Sequence, residues 1–267
     1  MPKITDPIEN ESIKELKKKC KLKNKEFKIN ENGSVTIIKL SNKNLNQIPE
    51  RIKDFPHLSK LILDYNRIEK IEGLENLLEL KDLNLGSNKI IKIEGLKELK
   101  SLLILDLSYN QISKIEGLEN LSNLKRLFLL KNEIKKIEGL DALDNLSVLN
   151  LNNNQILKIE GLEKLNHLQN LRLSDNQIIK IEGLENLVQL DSLELSMNQI
   201  SKIEGLSTLS DLNKLFLSHN KIRDIEGLEN LTKLEWLDLD FNPLKEEVQA
   251  YYKKGSKETI EYFRSKK

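Results

Sequence analysis

Residues 102–123 read LLILDLSYNQISKIEGLENLSN, and the same 22-residue phrase, L-x-x-L-x-L-x-x-N-x-I-x-x-I-E-G-L-x-x-L-x-x, also starts at Leu58, Leu80, Leu124, Leu146, Leu168, Leu190 and Leu212 without an insertion. A truncated copy follows from Leu234, and a degenerate copy, one residue longer, precedes the array from Val35 to His57. A fixed period of this length is the mark of a solenoid, in which one short unit cannot bury its apolar face alone and does so against its neighbours.

Within each copy the fourth and sixth positions, such as Leu61 and Leu63, are apolar and alternate with variable residues, the period of a half-buried strand. The ninth position is always asparagine, from Asn66 to Asn242, and falls where the chain must leave the strand. An amide has two donors and an acceptor and can satisfy backbone groups inside a bend. Glycine recurs once per copy, as at Gly73 and Gly117, which implies a backbone shape or a close approach that a Cβ would obstruct. No proline lies between Pro56 and Pro243, as expected of strands that must all donate to a neighbour.

Of the 267 residues 38% are hydrophobic but only 4% are aromatic, so leucine and isoleucine must build the core. The 43 Lys and Arg nearly cancel the 42 Asp and Glu, which leaves no overall pull toward nucleic acid or anionic lipid. The start of the chain, MPKITDPIEN, lacks an apolar leader pattern, and no stretch is apolar enough to read as a membrane span. The expected location is cytoplasmic. Cys20 is the only cysteine, so no intramolecular disulfide can form.

The phrase resembles the leucine-rich repeat, over roughly residues 35–244. The resemblance implies an α/β fold: a right-handed leucine-rich-repeat solenoid with a concave parallel β-sheet of about ten short strands, capped by helices at both ends. The segments Ile68 to Leu77 and Ile112 to Leu121, I-x-x-I-E-G-L-E-N-L, are similar to the 22-residue class typified by the regulatory leucine-rich-repeat subunit of protein phosphatase 1. That class presents a column alternating acidic and aromatic residues. The fifth motif position here runs Lys39, Ile62, Asn84, Asp106, Phe128, Asn150, Arg172, Glu194, Phe216, Asp238; it matches at Asp106 with Phe128 and at Glu194 with Phe216 and Asp238, and departs at Asn150 and Arg172. Asn242 to Arg264, with N-P-L, E-V and G-x-x-x-I-x-x-Y-F-R, resembles instead the end of the repeat region of Roco GTPase proteins. The two resemblances imply different partners, a phosphatase catalytic subunit or a small GTPase. The chain contains no phosphate-binding G-x-x-x-x-G-K-[ST] loop, so on the second reading it is a stand-alone receptor domain.

Three regions follow: a cap over residues 1–34, the solenoid over 35–244, and a C-terminal cap over 245–267. In the first, Ile13, Leu16 and Cys20 lie near helical spacing behind Ser12, which reads as an amphipathic helix with Ser12 at its N-cap and Cys20 as a buried small hydrophobe. In the last, a helix from about Lys245 to Lys253, a stop at Gly255 and a second helix carrying Ile260, Tyr262 and Phe263 would seal the final coil.

Because the constant positions build the scaffold, information about a partner sits in the variable strand positions. Two groups of apolar and aromatic residues appear there. One joins Leu103, Ile104, Tyr109, Phe128, Leu130 and Val148, with Asp106 and with Lys125, Arg126 and Lys131 at its edge. The other joins Met197, Phe216, His219, Trp236 and Phe241, edged by Glu194, Glu235, Asp238 and Asp240. Apolar anchors inside a charged rim are how interface hot spots are built. On the opposite side a glutamate follows every second isoleucine, with a lysine two residues earlier in seven of eight copies; Asp224 is the exception. That pattern reads as a self-neutralising solvated surface. His57, His167 and His219 occupy unrelated motif positions, and no triad or metal spacing is present. The sequence therefore points to a non-catalytic, monomeric module or scaffold that binds another protein and uses no cofactor, metal, nucleic acid or membrane. Self-association through the apolar face is the alternative.

Overall fold

The computed structural model describes residues 3–265. The chain forms two compact units, Met1–Asn132 and Glu133–Lys267.

The first unit opens with α1 (Pro7–Lys19), followed by an antiparallel hairpin of β1 (Phe27–Ile29) and β2 (Val35–Lys39). Four short strands then run parallel to β2: β3 (Lys60–Ile62), β4 (Asp82–Asn84), β5 (Ile104–Asp106) and β6 (Arg126–Phe128). The register advances by one repeat per strand, so that Leu61 sits beside Leu83 and Leu105 beside Leu127. The second unit repeats this with β7 (Val148–Asn150), β8 (Asn170–Arg172), β9 (Ser192–Glu194), β10 (Lys214–Phe216) and β11 (Trp236–Asp238), then adds α2 (Glu246–Tyr252) and α3 (Ser256–Ser265). The ten expected parallel strands are in place, with an inward leucine at the centre of β3 to β11 and Ile38 in the equivalent place in β2.

Every repeat leucine and isoleucine of the motif is buried, and what holds one coil to the next in register is asparagine. In the first unit, Asn110 Nδ2 donates to Leu85 O at 3.1 Å and Leu107 O at 3.0 Å, while its Oδ1 accepts from Ile90 N at 3.0 Å. The second unit repeats the set at Asn198, which bonds Leu173 O, Leu195 O and Ile178 N. Each amide thus satisfies backbone groups of two successive coils in a site closed to water.

Two expectations are corrected at the N-terminus. The helix does not start at Ser12; Asp6 is the N-cap, accepting from Ile8 N at 2.7 Å and Glu9 N at 2.9 Å, with Pro7 at the first helical position. A carboxyl group that accepts two N–H bonds at a helix start and a proline in the first turn outweigh the apolar spacing that pointed further along. Ser12 instead lies buried within the helix and donates to Asp54. The hairpin strand β1 is also additional to the expected set. Ile13, Leu16 and Cys20 are buried as expected, and burial pushes the Cys20 thiol above its ordinary pKa. The buried N–H of Val35 at the start of β2 is satisfied by Glu9, whose carboxylate accepts from it at 2.7 Å. Burial raises the pKa of that carboxyl.

At the other end, α2 and α3 pack over the last coil, with Val248, Thr259, Ile260 and Phe263 buried. Tyr251 stacks on Tyr262, and Phe263 meets Tyr262 edge-on at 5.0 Å. Arg264 reaches back to the carbonyl oxygens of Leu231 and Leu234. The glutamate and lysine columns pair loosely, as in Lys114 with Glu116 at 3.4 Å and Lys158 with Glu160 at 3.9 Å. Asp224 departs from the lysine column because Lys245, from beyond the repeats, supplies its cation at 2.5 Å.

Candidate functional site

The residues flanking each inward leucine stand on the open face of the strands. In the first unit Asp106 lies beside Phe128, and Ile104 beside Arg126, on adjacent strands β5 and β6. Leu103, Phe128 and Leu130 are half-buried, whereas Tyr109 is 48% exposed with Lys131 Nζ 5.3 Å from its ring. Val148, which the sequence places with these residues, belongs to β7 of the second unit and is half-buried there.

The second unit brings its group together more fully. Glu194, Phe216 and Asp238 form one row across β9, β10 and β11, and Trp236 stands beside Lys214. Arg172 pairs with Glu194 at 3.3 Å. Met197, His219 and Phe241 form a second row along the ends of the same strands, and the His219 and Phe241 rings stack at 4.2 Å. Trp236 is 53% exposed and Phe241 75%, so the C-terminal helices leave both rings open.

That second row has a backbone signature the sequence did not reveal. The residue before each asparagine adopts a left-handed conformation, with φ of 58° at Met197, 54° at His219 and 59° at Phe241, and the same at Tyr65 and Tyr109. Left-handed backbone costs an L-residue roughly 1–2 kcal/mol, least for asparagine and aspartate. Asn153 and Asp175 at the equivalent place are the economical solution. Methionine, tyrosine and phenylalanine there cost stability, and their side chains, exposed on the rim, return little of it through packing. Such strain concentrates where binding is selected. The signal available in the sequence was the mixture of Asn and Asp with large apolar residues at one motif position.

The carboxylates read differently from expectation. Asp106 Oδ1 accepts from Ser108 N at 2.9 Å and Asp238 Oδ1 from Asp240 N at 3.0 Å, and Asn84 and Asn150 make the same bond to Gly86 N and Asn152 N. Asp and Asn at this position turn the chain at the strand end, a local role that accounts for much of the acidic column.

Tyr252 closes the last coil: its hydroxyl accepts from Leu239 N at 3.0 Å and donates to Asp240 at 2.9 Å. Burial, reinforced by Asp240 and Asp238, lifts its pKa from 10.0 to about 12. Since the folded value lies above the unfolded one, the neutral phenol stabilises the fold fully below pH 10.0, and this contribution is lost between pH 10.0 and about 12. Alkaline titration followed by Trp236 fluorescence is expected to show the second unit loosening in that window. Tyr252→Phe should remove that pH dependence and, leaving Leu239 N–H unpaired, cost about 1–3 kcal/mol at neutral pH. An unchanged alkaline profile in the variant would contradict this.

Among the described residues no group of three or more His, Cys, Asp or Glu is placed to hold a metal ion, and no helix is long and apolar enough to cross a membrane.

Models of leucine-rich repeats match residues 100–142, 122–164 and 166–208 in two-copy form, and 56–112 and 189–244 in a second form. Among solved structures, internalin C2 of Listeria monocytogenes shares 26% identity over 91% of this chain and 94% of that one, with a TM-score of 0.57. A leucine-rich-repeat protein of Leptospira interrogans, 21% identical over 82% of this chain and 81% of that one, has a TM-score of 0.56. The ectodomain of the plant membrane receptor kinase GASSHO1/SCHENGEN3 from Arabidopsis thaliana, solved in complex with CASPARIAN STRIP INTEGRITY FACTOR 2, is 24% identical and covers 73% of this chain but only 28% of its own length, with a TM-score of 0.59. No curated protein sequence matches the chain. The two latter structures speak for the fold alone. The asparagine-bonded 22-residue coils, the parallel strands they build and the family matches from residue 56 to 244 agree: the chain belongs to the leucine-rich-repeat family.

Proposed function

We propose that this protein is a non-catalytic interaction module that holds a partner protein against the open strand face of its second unit, on Phe216, Trp236, Met197, His219 and Phe241. The observation that carries the reading is the row of large side chains, Met197, His219 and Phe241, kept exposed in three consecutive coils on left-handed backbone that methionine and phenylalanine adopt at a cost. Leucine-rich repeats commonly mediate protein–protein contact, which supports it. The rings provide the anchors, while Glu194 and Asp238 already serve Arg172 and the backbone, so the phosphatase-like and GTPase-receptor alternatives draw no separate support from the acidic row. The cytoplasmic placement belongs to the same proposal.

Affinity capture on immobilised protein tests this. Trp236→Ala is expected to weaken retention of the partner about 30-fold, the scale of a truncated hot-spot residue. Met197→Asp should do likewise; thermal unfolding should be little changed in Trp236→Ala, whose side chain is exposed, and shifted slightly upward in Met197→Asp, where aspartate tolerates the left-handed backbone better. Full retention by both variants would overturn the proposal. Loss in Phe128→Asp alone would move the site to the first unit, and a dimer in light scattering that Trp236→Ala dissociates would replace the partner with a second copy.

A further inference from the structure

The open strand face of the first unit carries a basic and apolar surface on two adjacent coils. The coil that begins at Leu124 presents Lys125 and Arg126 at one end of its strand, Phe128 in the middle, and Lys131 just beyond the other end. The neighbouring coil sets Leu103 and Ile104 beside the first pair and Tyr109 beside Lys131. Main-chain bonds hold this register at both ends: Leu103 O accepts from Lys125 N at 2.9 Å and Arg126 N at 3.1 Å, and Leu130 O accepts from Tyr109 N at 2.7 Å. Leu103, Ile104, Phe128 and Leu130 are half-buried, whereas all three cations are exposed. Elsewhere on this face a cation at the motif position of Arg126 is answered by the next coil, where Asp82 meets Lys60 at 2.5 Å. Arg126 has Ile104 on the adjacent strand, and among the described residues neither Arg126 nor Lys131 enters an ion pair. Asp106, the one carboxylate on the outward positions of these two coils, is turned to the backbone, its Oδ1 accepting from Ser108 N.

We infer that this surface docks an acidic segment of a partner protein, one in which apolar side chains lie between two carboxylate-bearing ends. The apolar side chains rest on Phe128 and the half-buried aliphatic chains around it, while carboxylates reach Lys125 and Arg126 at one end and Lys131 at the other. Charge complementarity fixes the sign of the occupant: Arg126 and Lys131 give up no ion pair of their own when a partner's carboxylates arrive. Tyr109 keeps the Lys131 ammonium at the rim, 5.3 Å from its ring centre. A single-stranded nucleic acid fits less well. Its bases would need open aromatic faces, but Lys131 already covers a face of Tyr109, the rest of the strip is mostly aliphatic, and Asp106 stands where a phosphate chain would cross. A second copy docked through the same surface would set these cations against their own image.

The surface is separate from that of the second unit, and a peptide titration tests it alone. The probe is a fluorescein-labelled, amidated peptide of sequence Glu-Glu-Leu-Leu-Glu-Glu, read by fluorescence anisotropy. It is compared with versions carrying lysine for glutamate or alanine for leucine, and with labelled single-stranded octathymidylate. Saturable binding of the first peptide is expected, with the alanine version about tenfold weaker and no saturation by the lysine version. Phe128→Ala should weaken the first peptide about tenfold, the scale of a truncated anchor, and Arg126→Gln about threefold to fivefold. Arg126→Glu combined with Lys131→Glu should abolish saturation; both side chains are exposed, so this result stands even where Phe128→Ala loosens the coil. Trp236→Ala should leave the titration unchanged. Equal affinity for the lysine or the alanine version, tighter binding of octathymidylate, saturation that survives the double charge reversal, or no saturable binding would each overturn the inference. A dimer in light scattering that Arg126→Glu dissociates would overturn it as well, by seating a second copy on the surface.

Discussion

Asn198→Ala is expected to destabilise the second unit by about 3–5 kcal/mol, seen as a lower urea midpoint by far-ultraviolet circular dichroism and Trp236 fluorescence together. The amide bonds Leu173 O, Leu195 O and Ile178 N at 2.9 to 3.0 Å inside a closed site. Alanine removes all three bonds at once, and each buried group left unpaired costs about 1–3 kcal/mol, reduced where neighbours relax. Aspartate would not rescue the loss, because both carbonyl oxygens need a donor. Asn242→Ala makes the contrast: that residue bonds the equivalent groups but is half-exposed, so water can replace part of what it provides and the loss should be smaller. A loss at Asn198 below about 1 kcal/mol would mean that the coils are held by leucine packing alone.

Gly117→Ala is expected to cost about 3 kcal/mol or more, whereas Gly73→Ala should cost only about 1–2 kcal/mol. Both glycines are left-handed, with φ of 70° and 72°, and share that part of the penalty. They differ in what a Cβ would meet. At Gly117 it would stand 2.5 Å from the carbonyl oxygen of Ile93, the backbone of the preceding coil; at Gly73, which follows the degenerate first copy, nothing lies within 4 Å. Backbone cannot swing aside as a flexible side chain can, so the coil spacing itself must open. Equal losses in thermal and urea unfolding would show that conformation, not contact, explains glycine at every turn.

Much of the molecule was legible from residues alone. Leu61 and Leu63 announced an inward-facing strand, Asn66 the bend after it, and the 22-residue restart the stacking of coils. The helices near the C-terminus lay close to where Ile260 and Phe263 placed them. Less legible were features whose cause lies in another part of the chain. Ser12 looked like a helix start because apolar spacing begins behind it, but Asp6 and Pro7 cap the helix earlier and Ser12 is engaged by Asp54, 42 residues away. Asp106 and Asp238 looked like a binding column, yet each takes the N–H two residues ahead of it. Asp224 breaks the lysine pattern within its repeat, and its partner Lys245 lies 21 residues on, outside the repeats.

By itself the sequence determined the coil, its length, its leucine core and its asparagine bend, because those depend on residues inside one repeat and every repeat says the same thing. Only the tertiary structure decided that Met197, His219 and Phe241 are held left-handed and exposed on one rim, that Trp236 stays open beside the C-terminal helices, and that Tyr252 and Ser256 of those helices take the place of a further coil at Leu239 and Leu237. Each of these is set by what the neighbouring coil, or its absence, presents to the backbone, and a hydrogen bond between coils has no counterpart within one repeat.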